Sequence, residues 1–333
     1  MNKSRINWLD TAKFIGIFCI YLGHFATDAG ISYPFVFAFH VPLFFFLSGC
    51  AERLSKPSTI KDFFLKNIKK ILIPFYFFCL LSVLMIYLYQ NCATDIALNL
   101  LLILKGAIRN TFPAGGLWFL SCLFVVKCLF FLIRHFAKKN YLVISICLVC
   151  FLFSLIGFTP SMPGNPHWVY NIDSALYYIL FYMIGFYCFP FLQKFLLLDS
   201  LYKRMAASIL FSLCTFYALA TLFGYNLLSF LSTTIFTGSL ASVLSALILI
   251  GFILGLSKLL EDVPLFVAIG QNTLYLCGSE YIIKNLVPLT LQLVGLNLCL
   301  QNPLSSYVYT MVLLIICHHS LVPVEKAILK KIT

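Results

Sequence analysis

Charged residues are scarce in this 333-residue chain: only 10% of its positions carry Asp, Glu, Lys or Arg, while 62% are hydrophobic. Acidic residues are the scarcer kind, with 11 Asp and Glu against 23 Lys and Arg. A water-soluble domain of this length does not need so much apolar surface, so the composition excludes an ordinary globular enzyme. The apolar positions fall in repeated runs of about 20 residues, the length that crosses a bilayer as a helix.

Several familiar sequence signals are also missing. There is no evident internal repeat, glycine-rich nucleotide loop or soluble domain. The 13 cysteines are scattered, mostly within apolar segments, which favours small apolar residues of a reduced compartment over a disulfide or metal framework. The positive net charge does not indicate nucleic acid, because the basic residues cluster between apolar runs, where charge sets membrane orientation. We therefore expect neither a metal nor a nucleic-acid partner.

Hydropathy predicts an all-α, polytopic transmembrane helix bundle of about ten spans, forming a single domain over residues 1–333. The predicted spans lie near residues 9–28, 33–51, 70–90, 117–134, 141–158, 174–192, 205–224, 237–257, 264–286 and 304–322. With both termini in the cytoplasm, 19 of the 23 Lys and Arg residues fall on the cytoplasmic side. The positive-inside rule requires this asymmetry, and it predicts an even number of spans with both termini inside.

The first apolar segment contains two ionisable residues, Lys13 and His24, separated by eleven positions. At about 3.6 residues per turn, eleven steps close three turns to within about 20°, so both side chains share one helix face. They are roughly 16 Å apart along that face, with the lysine near one membrane surface and the imidazole deeper. Ionisable groups at such depth are costly to insert and usually mark a site or a pathway.

Two further ionisable residues, His40 and Glu280, are predicted at the same depth as His24. Span two runs inward and span nine runs outward, so all three side chains fall in the outer half of the membrane. Two imidazoles and a carboxylate at matching depth can form a general-base site, because a carboxylate that accepts a hydrogen bond from one ring nitrogen raises the basicity of the other nitrogen.

Cationic residues mark the opposite, inner boundary. Lys13 and Arg53 are placed where they could hold phosphates, and the basic loop over residues 52–69 would attract anionic lipid or a nucleotide-bearing donor. Asp10 lies three positions before Lys13 and could either bind the donor or form a structural ion pair with that lysine.

Each of these residues also has a purely structural interpretation. His24 could be an interhelical hydrogen-bond partner, and His40 could be a polar group packed among phenylalanines. Glu280 could be neutralised by Lys284, one helical turn further on. Arg53 could simply enforce topology, as any cytoplasmic arginine beside a span does.

Five stretches of the chain form recognisable motifs. The most specific is the second-span stretch Phe39-His40-Val41-Pro42-Leu43-Phe44-Phe45-Phe46-Leu47-Ser48-Gly49. The other four are Arg5 to His24, Lys69-Lys70-Ile71-Leu72-Ile73-Pro74-Phe75, Gly116-Leu117-Trp118-Phe119-Leu120, and Ile269-Gly270-Gln271-Asn272-Thr273-Leu274. In this order along the chain, the five stretches resemble the motifs of acyltransferase family 3, and particularly of its fucose 4-O-acetylase-like branch.

The resemblance implies transfer of an acyl group, usually acetyl from acetyl-CoA, to a carbohydrate hydroxyl. In this family's pattern His24 matches the essential histidine, and the substrate-binding candidates Ser48, Trp118 and Asn272 match motif positions, as does His40. Lys13 stands where the family usually has arginine, which keeps the charge but loses the bidentate grip on phosphate. Glu280 stands where many members have a histidine, so its role is not inherited.

From these motifs we expect acetyl-CoA to dock from the cytoplasm against Lys13, Arg53 and the basic loop, with its thioester reaching towards His24. His24 would act as general base or accept the acetyl group itself. The acceptor would be a surface polysaccharide or lipid-linked sugar, and the protein a multi-pass protein of the bacterial cytoplasmic membrane. The alternative is a transporter or flippase for a lipid-linked oligosaccharide or another polar solute.

Overall fold

The fold is described from a computed structural model, which describes residues 5–24, 29–55, 59–89, 95–157, 166–295, 300 and 302–332. Within those residues the regular structure is entirely helical. The α-helices are α1 (Asn7–Gly23), α2 (Ser32–Phe37), α3 (His40–Arg53), α4 (Ile60–Asn67), α5 (Ile73–Tyr89), α6 (Ile96–Leu104), α7 (Trp118–Ala137), α8 (Asn140–Gly157), α9 (Ile172–Phe195), α10 (Leu201–Leu222), α11 (Ile235–Leu259), α12 (Pro264–Gly270), α13 (Thr273–Leu293) and α14 (Pro303–Ile332).

Seven helical segments of the described chain are long and apolar enough to cross a membrane, which confirms the predicted all-helical, multi-pass architecture. They are Ser32–Arg53, Ile60–Leu88, Trp118–Ala137, Val169–Phe195, Leu201–Leu222, Phe236–Leu259 and Pro303–Ile332. The other three predicted spans coincide with α1, α8 and the α12–α13 segment, although residues 25–28 and 158 of those spans lie outside the described residues. The count of ten and the cytoplasmic termini stay predictions.

The chain divides into two compact units. The first unit comprises Met1–Leu54, Ile184–Thr273 and Leu300–Ser320, and the second comprises Ser55–Met183, Leu274–Cys299 and Leu321–Thr333. The expectation of a single functional domain over residues 1–333 stays a prediction.

Helix α1 forms the core of the first unit. Beyond the Asp10–Lys13 turn its residues are almost all apolar, and most residues of the helix are buried, as expected for a helix enclosed by other helices rather than lying at a surface. It packs against α2, α3, α11 and α12. The rings of Phe14 in α1 and Phe266 in α12 stack at 4.2 Å between centroids with an interplanar angle of 10°.

Two glycines allow helix backbones in the first unit to come close together. A Cβ placed on Gly270 would stand 1.8 Å from the carbonyl oxygen of Asp10, and one on Gly185 would stand 2.0 Å from the carbonyl oxygen of Phe46. No side chain fits at such separations, so both contacts require glycine. Gly270 thereby joins α12 to the first turns of α1, and Gly185 joins α9 to α3.

The second predicted span is interrupted between α2 and α3, at Ala38 and Phe39. Pro42 explains the break, because a proline has no N–H to donate to the carbonyl four residues earlier, that of Ala38. Phe39 takes φ −144° and ψ −20°, outside the helical region, and α3 begins directly after it. The break makes His40 the first residue of a helix instead of an interior one.

The second unit is also held together by aromatic and glycine contacts. Phe63 in α4 stacks on Phe131 in α7 at 3.9 Å between ring centroids. A π-helical turn, Ile68–Leu72, joins α4 to α5. Within α5, Phe78 occupies the space that a Cβ on Gly278 of α13 would need, at 2.1 Å.

We expect Gly270→Ala to destabilise the protein, because the added methyl group would overlap the Asp10 carbonyl and push α12 away from α1. The loss should be about 1 to 3 kcal/mol, the usual cost of overpacking, and it is measurable as a lower midpoint of thermal unfolding in lipid nanodiscs. Gly238→Ala in α11 is the matched control, since its nearest neighbour would be the Cβ of Ser232 at 3.9 Å. Equal midpoints for the two variants would contradict the proposed α1–α12 contact.

Candidate active site

A cavity of about 380 Å³ opens in the first unit beside the N-terminal turns of α1. Its remaining walls come from the C-terminal turn of α3, the end of α9 and the residue that follows α12. The lining residues are Arg5, Ile6, Leu9, Asp10, Lys13, Ala51, Leu54, Gln193 and Gln271. We call this space the charged cavity, because two cations and one carboxylate line it.

An ion pair lies within the charged cavity. Lys13 Nζ donates to Asp10 Oδ1 at 2.8 Å, one helical turn away, and the two side chains are 24% and 9% exposed. The pair holds the lysine in a fixed position while leaving its ammonium group two further N–H donors. With Arg5 included, the lining carries one net positive charge, which suits an anionic group better than a cation.

Sequence reasoning did not predict three residues of the charged cavity as site residues: Arg5, Gln193 and Gln271. Gln271 falls within the late motif, but only Asn272 was selected there, and Gln193 lies outside every motif. Arg5 entered only as the first residue of the opening motif.

Arg53, predicted to bind the donor, does not line the charged cavity: its guanidinium carbon lies 5.0 Å from the ring centroid of Phe186.

The first unit contains both histidines that were predicted for the site, His24 and His40. His24 lies at the end of α1 opposite the charged cavity. Helix α1 ends at Gly23, and His24 caps it, its backbone N–H donating to the Tyr21 carbonyl at 3.1 Å. Lys13 and His24 are therefore joined by a continuous helix, roughly 16 Å from end to end. Gly23, the residue before His24, packs against α2 close to His40, since a Cβ on it would stand 3.0 Å from both Val36 and Phe37; a joint site of His24 and His40 stays a prediction.

The hydrogen bonding of His40 fixes its tautomer. His40 is 6% exposed, and its Nδ1 lies 2.7 Å from the carbonyl oxygen of Val36. Since a carbonyl can only accept, Nδ1 carries the proton and donates. In the neutral ring Nε2 then keeps its lone pair and can accept a proton or a hydroxyl hydrogen bond. The ring of Phe37 meets the imidazole edge-on at 4.9 Å between centroids.

The other motif residues of the first unit lie in or beside the helices that line the charged cavity. Asn272 follows Gln271 directly, is buried, and its amide nitrogen lies 3.3 Å from Nδ1 of His318 and donates to the Ala268 carbonyl at 2.8 Å. Ser48 is partly buried in α3. Their predicted substrate contacts stay predictions.

Trp118 and Glu280 belong to the second unit, where they lie near one another. Trp118 begins α7, with the Arg109 guanidinium carbon 5.1 Å from its ring centroid and the Tyr178 ring 6.0 Å away. Glu280 is buried in α13, and its Oε2 lies 3.6 Å from where a Cβ on Gly116 would stand. The association of Glu280 with His24 and His40 stays a prediction.

Asn171 organises the loops around Trp118. It is fully buried, at φ +54°, a left-handed conformation that asparagine tolerates better than most residues. Its amide nitrogen donates to the Gly106 carbonyl and to Ser121 Oγ, and its Oδ1 accepts from the backbone N–H of Arg109 at 2.9 Å. No single stretch of sequence signals this network, because its members are up to 65 residues apart.

Comparison with known proteins adds one finding. A family model described as an acyltransferase domain, Acyl_transf_3, matches residues 6–323, nearly the whole chain. No curated protein and no solved structure matches the chain. Among the residues that the structure describes, no group of three or more His, Cys, Asp and Glu side chains could hold a metal ion.

We expect Asn171→Ala to lower the free energy of unfolding by about 2 to 4 kcal/mol. The Gly106 carbonyl and the Arg109 N–H would lose their buried partner, and alanine is disfavoured at a positive φ. Ser154→Ala is the control: Ser154 is buried in the same unit but donates to a single carbonyl, that of Phe151. Chemical denaturation of both variants tests this, and an Asn171→Ala protein as stable as Ser154→Ala would contradict it.

Proposed function

The chain belongs to acyltransferase family 3, and from that membership we propose that it is a membrane-embedded O-acetyltransferase that moves an acetyl group from acetyl-CoA to a carbohydrate hydroxyl. The family and the seven apolar helices support a membrane acyltransferase. The donor, the acceptor class and the role of each histidine are proposed from the geometry of the first unit.

The charged cavity is the observation that carries the proposal for the donor. All described Lys and Arg residues of the first unit lie at the end of the helices where this cavity opens: Arg5, Lys13, Arg53, Lys194, Lys203, Arg204 and Lys258. The positive-inside rule places such an end in the cytoplasm, where acyl-CoA is available. The CoA phosphates would bind Arg5 and the free donors of Lys13, with Gln193 and Gln271 as neutral hydrogen-bond partners.

Asp10 has a positioning role in this proposal. Its carboxylate would repel a phosphate placed directly against it, yet it holds the Lys13 ammonium at 2.8 Å in one orientation. A fixed cation loses less side-chain entropy on binding than a mobile one. The lysine ammonium group is a single point of charge, whereas an arginine guanidinium donates two parallel hydrogen bonds. A phosphate at Lys13 would therefore be held in a less strictly fixed orientation than one bound by arginine.

Helix α1 then supplies the distance between donor anchor and reaction centre. A donor held at Lys13 would extend its flexible arm along α1 and present the thioester near His24, roughly 16 Å away. Holding both reactants on one helix favours reaction by fixing their geometry.

Two chemical routes are consistent with His24 at that point. As general base, His24 takes the proton of the acceptor hydroxyl while the hydroxyl oxygen forms a bond to the acetyl carbonyl carbon. The C–S bond of the thioester then breaks, and the CoA thiolate recovers the proton from His24. As nucleophile, an imidazole nitrogen first takes the acetyl group, with release of CoA, and then passes it to the hydroxyl. A neutral His40, with Nε2 as acceptor, would help to hold that hydroxyl.

The expected setting is a bacterial cytoplasmic membrane, with lipid around the apolar helices and a surface polysaccharide or lipid-linked sugar as acceptor. Transport of a lipid-linked oligosaccharide without acetyl transfer is the competing function. Purified protein in liposomes, given radiolabelled acetyl-CoA and a glycan acceptor, distinguishes the two, because a transporter leaves the label on CoA.

Replacing Lys13 should weaken donor binding. We expect Lys13→Met to raise the KM for acetyl-CoA by about tenfold or more, since a charge-assisted hydrogen bond is lost, and Lys13→Arg to keep or lower it. Lys258→Met is the matched control, because Lys258 pairs with Glu261 at the same end of the unit but does not line the charged cavity. Similar KM values for Lys13→Met and Lys258→Met would remove Lys13 from the donor site.

Replacing His24 should stop the chemistry while leaving the donor bound. We expect His24→Gln to lower kcat by about 10² to 10⁴-fold, with acetyl-CoA affinity, measured by calorimetry, within about twofold of wild type. Rapid-quench measurement of CoA release without acceptor separates the two routes, because only an acetyl-histidine intermediate gives a stoichiometric burst. Wild-type transfer by His24→Gln would overturn the assignment of His24.

A further inference from the structure

The first unit contains a second cavity, of about 330 Å³, at the other end of the Ser32–Arg53 segment. It lies between α2, the end of α10 and the beginning of α11, and its volume falls within the range of small-molecule sites. The lining residues are Pro34, Ala38, Tyr217, Thr221, Gly224, Tyr225, Asn226, Ser232, Ala241, Ser242 and Ser245. We call it the neutral cavity.

Local sequence signals shape the neutral cavity. Helix α10 ends in a Schellman motif, with Gly224 at φ +85°, its N–H donating to Thr221 and the N–H of Tyr225 donating to Ala220. Helix α11 begins with a capping box between Thr234 and Thr237. These two ends turn the chain sharply, so that polar residues of the intervening loop face the gap between the helices.

The lining contains hydroxyl and amide groups but no charge. Four serine and threonine hydroxyls, two tyrosines and Asn226 supply both donors and acceptors. Thr221 Oγ1 donates to the Tyr217 carbonyl and Ser242 Oγ to the Gly238 carbonyl, both at 2.9 Å. Each of these oxygens can still accept from a ligand hydroxyl.

The absence of charge extends beyond the cavity walls. In the described residues of the first unit, every Asp, Glu, Lys and Arg lies at the end of the charged cavity, and none lies at the end of the neutral cavity. An acidic or amino ligand would therefore lose hydration without finding a counter-charge among the described residues around the cavity, which is costly at the border of a membrane. A neutral ligand rich in hydroxyls meets no such penalty.

The neutral cavity is also adjacent in sequence to the proposed reaction centre. Ala38, in the break between α2 and α3, lines the cavity and precedes His40 by two residues. A ligand at Ala38 thus lies beside the helix end that carries an imidazole with an available Nε2.

From these observations we propose that the neutral cavity binds the acceptor, and that it selects an uncharged, hydroxyl-rich sugar over acidic and amino sugars. This inference rests on the proposed acetyl transfer only for the fate of the bound sugar; the binding and its charge selectivity depend on the cavity alone. The neutral cavity and the charged cavity would then hold the acceptor and the donor at opposite ends of the Ser32–Arg53 segment.

Saturation-transfer NMR on the whole protein in lipid nanodiscs tests the binding directly. The probes are methyl galactoside, methyl galacturonate and methyl galactosaminide in its ammonium form, which share a ring but differ in charge. We expect saturation transfer to the neutral glycoside and little or none to the charged ones. Ser242→Trp, which fills the cavity, should remove the signal, whereas Ser212→Trp, an exposed position of α10 outside the lining, should keep it.

A milder substitution keeps the test decisive if the Ser242→Trp protein does not fold. Thr221→Val keeps the side-chain shape and removes one hydroxyl, and it should weaken the neutral signal while the calorimetric affinity for acetyl-CoA at the charged cavity is retained. Equal signals from all three glycosides, or an undiminished neutral signal in both Ser242→Trp and Thr221→Val, would overturn the inference.

The same protein separates this inference from the proposed function. Binding of the neutral glycoside that depends on Ser242, with no label transferred from acetyl-CoA to any sugar, would reject the acetyltransferase and keep the neutral cavity as a sugar site. Acetyl transfer to galacturonate as efficient as transfer to galactoside would keep the enzyme and reject the neutral cavity as its acceptor site.

Discussion

The close backbone contact between α1 and α12 determines where several residues that line the charged cavity lie. Because Gly270 carries no side chain, α12 rests directly on the Asp10 carbonyl, and the residue after it, Gln271, reaches the same cavity as Asp10 and Lys13. The Phe14–Phe266 stack extends this contact by one turn. Residues about 260 positions apart in sequence thus line one space, and their alignment depends on van der Waals packing more than on any hydrogen bond.

The second constraint is the cost of charge in an apolar medium. Among the described residues of the first unit it produces two cavities of different character: one lined by cations and suited to an anionic group, the other lined by hydroxyls and without charge. The cost of burying charge therefore also gives the two cavities different electrostatic character. His24 and His40 lie away from the charged cavity, at the end of α1 and at the start of α3.

Sequence reasoning predicted the all-helical, multi-pass architecture and the family, because both depend on local periodicity or on contiguous motifs. It did not find Gln193 in the charged cavity or Tyr217, Thr221 and Ser242 in the neutral one. Neutral polar side chains in apolar helices carry no distinctive signal, and the helices that bring them together are far apart in sequence. The break before His40 has a local signal in the sequence, Pro42, because a proline cannot donate the helical hydrogen bond to Ala38.

The break between α2 and α3 has a consequence for protein engineering. Ala38 lies in sequence between the two partners of the His40–Val36 hydrogen bond, so a larger residue there would change the neutral cavity and, through the backbone, the orientation of the His40 imidazole. The shape of the neutral cavity and the orientation of His40 therefore cannot be changed separately at that position. The α10 and α11 walls carry no such link in sequence to the histidine, which makes them the better place to alter the neutral cavity without disturbing His40.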